Sequence, residues 1–280
     1  MTRRPSPETL AAARQQQFLE VVDRDTAESR FHEHLDLAPL EAEEVPLGSS
    51  LGRILSHDVL ADVDVPAFDR SNVDGFAVQA ADTAGAMEEE PRQLTINDEV
   101  LAPGVQASID IAAGTATTIA TGAVVPRGAD AVVMVEHTRV DDQGRLLVEH
   151  AVAPGARITF AGTDIARGET VLRGGQLLTS REIGVLAAIG HSSVSVVRRP
   201  SVAIISTGDE IIAPGEPMTH GGVYDSNAAI LAAAVEELGG QPHVLGCFRD
   251  DLEELSRAVT EALQHDVVVL SGDEHHGFRR

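Results

Sequence analysis

Between Ser201 and Leu270 the sequence reads strand, helix, strand, helix, strand, and that order admits few folds. Ser201-Val202-Ala203-Ile204-Ile205-Ser206 is a short apolar run, the mark of a strand buried on both faces. Ser226 is placed to cap a helix from Asn227 to Leu238, closed by Gly239-Gly240. His243-Val244-Leu245-Gly246 predicts a second strand. Asp250, with Glu253 three residues on, predicts the cap of a helix running to Leu263, and Val267-Val268-Val269-Leu270 a third strand. Such alternation opens a doubly wound parallel sheet. Three strands with two helices leave one face largely bare, so 197–272 reads as the first part of an α/β domain, followed by a divergent tail over 273–280.

The rest of the chain has other periods. Ser6-Pro7-Glu8 starts a helix to Val22, and Asp25 with Glu28 opens another to Leu37. From Val45 onward short alternating stretches are broken by Gly, Pro and Asp, and Val59 to Pro66 reads as extended chain. Val132-Val133-Met134-Val135 and Leu146-Leu147-Val148 predict two strands of a hairpin turning at Asp141-Asp142-Gln143-Gly144. Ala84 to Arg92 is an acidic, solvated loop. Thr179 and Glu182 form a capping box before an apolar helix that Gly190 closes. The expected fold is α/β plus β-rich and multidomain: a helical and linker domain from 1–62 and 150–196, an inserted β-rich domain at 63–149, and the incomplete α/β domain.

Charge narrows the partners. The formal net charge is −23, and all 21 basic residues are Arg. Nucleic acid and anionic membranes need a basic face, so neither is an expected partner. Self-repulsion of this size favours a salt-adapted interior, against the plainer reading of a GC-rich genome that replaces Lys with Arg. No apolar run reaches the length of a membrane span, and the N-terminus lacks a secretory signal. With Cys247 the only cysteine, no intrachain disulfide forms, and a reducing cytoplasm is the expected compartment.

Ligands of open parallel sheets sit at the carboxyl ends of strands. Ser206-Thr207-Gly208-Asp209-Glu210 follows the first strand and Ser271-Gly272 the third: small residues that let amides approach an anion, with carboxylates suited to Mg²⁺. Asp250 reads as a helix cap or a metal ligand. Asp69-Arg70-Ser71-Asn72-Val73-Asp74-Gly75 and Ala120-Thr121-Gly122 read as polar turns.

Taken together and in order, these segments resemble the molybdopterin molybdenumtransferase family, the MoeA-type proteins that include the gephyrin E domain. The resemblance rests on Val65 to Val78, preceded by Gly52-Arg53-Ile54-Leu55. It continues through Thr121-Gly122-Ala123, Gly128-Ala129-Asp130, Asp164-Ile165, Ser206 to Glu210, Tyr224-Asp225-Ser226-Asn227, Arg249-Asp250-Asp251 and Ser271-Gly272.

The resemblance implies an elongated homodimer that inserts molybdate into adenylated molybdopterin, releases AMP and uses Mg²⁺. The implied catalytic residues are Asp74, Thr121, Asp164, Glu210 and Asp250, with Glu210 and Asp250 as metal ligands. Ser71, Gly75, Thr207, Gly208, Asp209, Ser271 and Gly272 are the implied substrate contacts. Thr163 stands where the family usually has Glu, and Arg70, Asn72 and Val73 vary the signature segment. The family's Gly-Gly-x-Ser-x-Gly-x-x-Asp loop is replaced after Gly272 by Asp273 to Arg280. The chain thus reads as C-terminally truncated, and the alternatives to a transferase are a non-catalytic dimerising scaffold or a pterin-binding protein without turnover.

Overall fold

The computed structural model describes residues 22–272 apart from 34 and 36. The helix expected from Ser6 to Val22 and the tail over 273–280 lie essentially outside the described residues. Two compact units emerge: Glu44–Val196, and the described residues up to Glu43 together with those from Val197 onward.

Helix α1 (Arg24–His32) begins two residues earlier than expected. Its cap is Asp23, not Asp25: the Asp23 carboxylate accepts from the Thr26 N–H at 2.9 Å. It ends at His32 rather than Leu37, and no residue of it is buried. Without an apolar stripe, packing does not extend it.

The 44–196 unit is built on a six-stranded sheet. In chain order its neighbourhood contains β1 (Ala42–Pro46), β2 (Val59–Leu60), β3 (Arg70–Ser71), β4 (Gly75–Val78), β5 (Arg92–Leu101), β6 (Thr115–Ile119) and β7 (Ala131–Met134). There follow β8 (Thr138–Val140), β9 (Arg145–Val148), β10 (Ile158–Thr159), β11 (Thr170–Leu172), helix α2 (Ser180–Ala188) and β12 (Ser193–Val197). The large sheet has the order β7-β4-β6-β5-β9-β8. The Asp141–Gly144 turn therefore joins β8 to β9, and the expected pairing of Val132–Val135 with Leu146–Val148 is corrected: β7 lies at the far edge, beside β4. Both faces are buried. Phe76, Val78, Val133 and Leu146 pack on one side, and Ala77, Leu101, Ile119 and Val132 on the other. A strand buried on both sides has no polar alternation, which is why β4 is buried at all four positions.

A separate cluster joins Leu55, Val59, Leu172, Leu178, Leu186 and Val196 beneath α2. The capping box of α2 is present, with the Thr179 hydroxyl and Glu182 carboxylate in reciprocal contact with the backbone. We propose that this unit subdivides near 62/63 and 149/150, between that cluster and the sheet.

Gly75 sits where β4 passes β7 so closely that a Cβ would lie 1.9 Å from the Val133 carbonyl oxygen. Gly75→Ala is expected to cost about 1–3 kcal/mol or more by overpacking, read as a lower urea midpoint at unchanged slope.

The other unit contains β13 (Ser201–Thr207), β14 (Ile211–Ile212), β15 (Val223–Tyr224), helix α3 (Ser226–Glu237), β16 (Gln241–Phe248), helix α4 (Leu252–Ala262) and β17 (Val267–Gly272). Its three-stranded sheet is parallel, in the order β16-β13-β17. The chain steps one way from β13 to β16, then back across to β17. Right-handed crossovers in opposite directions put their helices on opposite faces. Hence α3 covers Val202 and Ile204, while α4 covers Ala203 and Ile205. The expectation of one largely bare face is corrected: each face carries one helix.

Two caps shift by one residue. Asp225, not Ser226, caps α3 by accepting from the Ala228 N–H at 2.9 Å. Asp251, not Asp250, caps α4 by accepting from the N–H groups of Glu253 and Glu254.

The start of β13 is tied by charge. Arg198 donates to both Asp266 oxygens at 2.8 Å, and the Ser201 N–H donates to Oδ2 at 2.7 Å. The Arg198 hydrogen bond, then that of Ser201, holds the Asp266 carboxyl far below the ordinary carboxylate range. Asp266 therefore adds stability that is fully present above the unfolded value of about 3.9 and lost as the pH falls toward its depressed folded value. Asp266→Asn is expected to lower the urea midpoint at pH 7, and the gap from wild type narrows steadily below about pH 4. A gap independent of pH would refute the assignment.

Candidate active site

Two groups of sequence-predicted residues assemble, one in each unit. In the 44–196 unit the signature segment is stitched to the second polar turn. Ser71 N–H donates to Ala123 O at 3.0 Å, Gly122 N–H to Ser71 O at 2.8 Å and Val125 N–H to Asp69 O at 2.9 Å. This brings Thr121 onto Asp74, 47 positions away: its N–H donates to Asp74 Oδ1 at 2.7 Å and its hydroxyl to the same oxygen at 2.9 Å. Those two bonds, the backbone one first, lower the Asp74 pKa. The result is an exposed carboxylate, ionised at neutral pH and held in one orientation by two donors.

The other predicted residues here divide. Ser71 is buried, and its hydroxyl donates to Val73 O at 2.6 Å, so it shapes the turn. Gly75 is filled by the close pass of β7. Asp164 is exposed on the return segment, with its N–H on Val65 O at 2.9 Å; no hydrogen bond joins it to Asp74 or Thr121.

In the other unit a cleft of about 360 Å³ opens at the carboxyl ends of β13 and β17, where the strand order reverses. Thr207, Glu210, Ser271 and Gly272 all line it. Ser271 and Gly272 belong to β17 itself, paired with Ser206 and Thr207, rather than to a loop beyond it. A Cβ at Gly272 would lie 2.2 Å from Thr207 Oγ1, so only glycine lets the two strand ends come this close. Gly208 makes the turn that places Glu210, and its N–H donates to Phe248 O at 3.1 Å. Asp209 and Asp250 are exposed and do not line the cleft.

Asp225 and Asn227 also line the cleft, although the sequence analysis assigned them no role in the site; Ser206, which it placed in the strand-end run, lines it too. The Tyr224-Asp225-Ser226-Asn227 run was the available signal. Asn227 Nδ2 donates to Ser271 Oγ at 2.9 Å. Asp225 is 6% exposed, and Cys247 Sγ contacts its Oδ2 at 3.4 Å. Burial raises the Asp225 pKa, but its hydrogen bonds, that from Ala228 N–H foremost, outweigh this and lower it. Burial first, then Asp225, pushes the Cys247 thiol up to about 11, so it stays protonated. The Ser206 Oγ is buried and has no hydrogen-bond partner among the described residues, and its closeness to Asp225 helps lower that carboxyl's pKa.

The donor set tests Mg²⁺. Among the described residues no three His, Cys, Asp or Glu side chains converge. Mg²⁺ is usually held by one or two carboxylates, with substrate phosphate and water completing the shell. Glu210, a carboxylate on the lining beside hydroxyl and amide groups, fits that pattern.

The MoeA N-terminal region (domain I and II) matches residues 22–190, and a probable molybdopterin binding domain matches 203–272. The molybdopterin molybdenumtransferase of Bacillus subtilis is 39% identical over 236 residues, covering 83% of this chain and 55% of that protein. Molybdopterin molybdenumtransferase 2 of Mycobacterium tuberculosis is 37% identical over 231 residues, covering 81% and 56%. A crystal structure of a molybdopterin biosynthesis MoeA protein from Pyrococcus horikoshii superposes with a TM-score of 0.84 at 37% identity, covering 90% of this chain and 64% of that one. The chain spans about half the length of the curated relatives it matches. The family's N-terminal region accounts for most of the chain, the molybdopterin-binding match follows in order, and the chain belongs to the MoeA family.

Proposed function

We propose that this chain takes part in molybdenum cofactor biosynthesis by inserting molybdate into adenylated molybdopterin with release of AMP. The observation that carries this reading is the strand-end cleft, inside the segment matched as a molybdopterin-binding domain. Thr207, Glu210, Ser271 and Gly272 bind and orient the substrate there. Asp74, fixed by Thr121, and Asp164 are further catalytic carboxylates, carried by the 44–196 unit. Glu210 would hold Mg²⁺ at the cleft, where the ion would offset the repulsion between an oxoanion and a pyrophosphate. The working form is a homodimer, and the working solvent a salt-rich cytoplasm.

The test mixes the chain with adenylated molybdopterin, molybdate and Mg²⁺ in molar KCl and follows AMP. AMP release that chelation of Mg²⁺ abolishes is the expected result. No release, with the chain folded and dimeric by light scattering, would defeat the catalytic reading.

A further inference from the structure

The eleven residues lining the strand-end cleft include one aromatic, Tyr224, which is also the only tyrosine of the chain. Ile211 and Val223 add apolar surface to the lining, and Ser206, Asn227 and Ser271 add polar groups. A cleft with apolar surface, an aromatic and a few polar groups suits a flat heterocycle with a hydrogen-bonding edge. Tyr224 is fixed at both ends. Its backbone pairs with Ile212 in the β14–β15 ladder, and its hydroxyl donates to Glu216 O at 3.0 Å. Even so, 41% of its surface is open. A ring held by its hydroxyl and left exposed has little rotational freedom to lose on stacking.

We infer that Tyr224 is a binding residue whose ring stacks on the fused planar heterocycle of the ligand, a pteridine or a purine. This inference rests on the proposed use of the cleft for an adenylated pterin.

The chain contains one Tyr and no Trp, so its tyrosine emission comes from Tyr224 alone. The emission lifetime is followed while pterin-6-carboxylate or AMP is added to the full chain, with binding measured separately by calorimetry. At saturation, one of the two is expected to shorten the lifetime. Tyr224→Leu is expected to weaken that ligand about tenfold or more, while Tyr224→Phe, which keeps the ring but not the Glu216 tether, stays within about threefold. A response to pterin alone assigns the pteridine, and a response to AMP alone the purine. Equal losses in both variants would make Tyr224 a support for the Glu216 loop and overturn the inference. Binding with an unchanged lifetime and an undiminished Tyr224→Leu affinity would overturn the stacking and leave the pterin cleft standing. If neither heterocycle binds, both readings fall.

Discussion

Asp74→Ala is expected to slow AMP release about a hundredfold or more while leaving the fold intact. The side chain is exposed, so its loss leaves no cavity, and among the described residues its hydrogen bonds run to Thr121 alone. A carboxylate that accepts two hydrogen bonds on one oxygen keeps the other free for substrate or metal. Asp74→Asn separates charge from shape, because the amide oxygen can still accept from Thr121. An Asn variant as slow as the Ala variant would assign the role to the negative charge. Thr121→Ala keeps the backbone bond and loses the hydroxyl, so its loss should be smaller, about tenfold. Because the Asp74 pKa is lowered, its ionisation should impose no acid limb on the rate above about pH 4. Full activity in Asp74→Ala, with an unchanged circular dichroism spectrum, would remove this residue from the mechanism.

The thermal midpoint is expected to rise by about 10 °C or more between 0.1 M and 2 M KCl, a shift of several kcal/mol at roughly 2–4 °C each. The cause is the net charge of −23 on 280 residues. The screening length falls from about 10 Å at 0.1 M to about 3 Å at 1 M, so repulsion between neighbouring carboxylates is largely removed over this range. Those carboxylates are mostly exposed, and Arg198 is shared between two of them. Repeating the titration near the pH at which the net charge vanishes should flatten the response. A midpoint indifferent to salt at neutral pH would sink the idea of a salt-adapted chain and leave the Lys-free composition as a matter of codon usage.

Local physical chemistry carried much of the sequence reading. The β13, β16 and β17 strands, the α3 and α4 helices and the capping box at Thr179 are written in short runs that need no distant partner. The strand-end position of Thr207 and Glu210 followed from the order of those runs, because parallel strands align their carboxyl ends. Caps were harder. At Asp250-Asp251 and Asp225-Ser226 two adjacent residues can both cap, and the choice depends on which backbone lies just outside the helix.

Other features were decided only by the tertiary fold. No local pattern reveals that β7 pairs with β4 instead of β9, since both are apolar runs near the same turn and the choice is settled by burial on both sheet faces. The reversal of strand order at β13 sent α3 and α4 to opposite faces, and that depends on the direction of each crossover. Asp74 and Thr121, 47 positions apart, meet through backbone bonds between 69–71 and 122–125 that no spacing rule encodes. The sequence by itself determined which residue types were available for chemistry and which short elements carry them. Which of them touch was set by long-range pairing, because it takes a packed sheet to bring distant turns within hydrogen-bond reach.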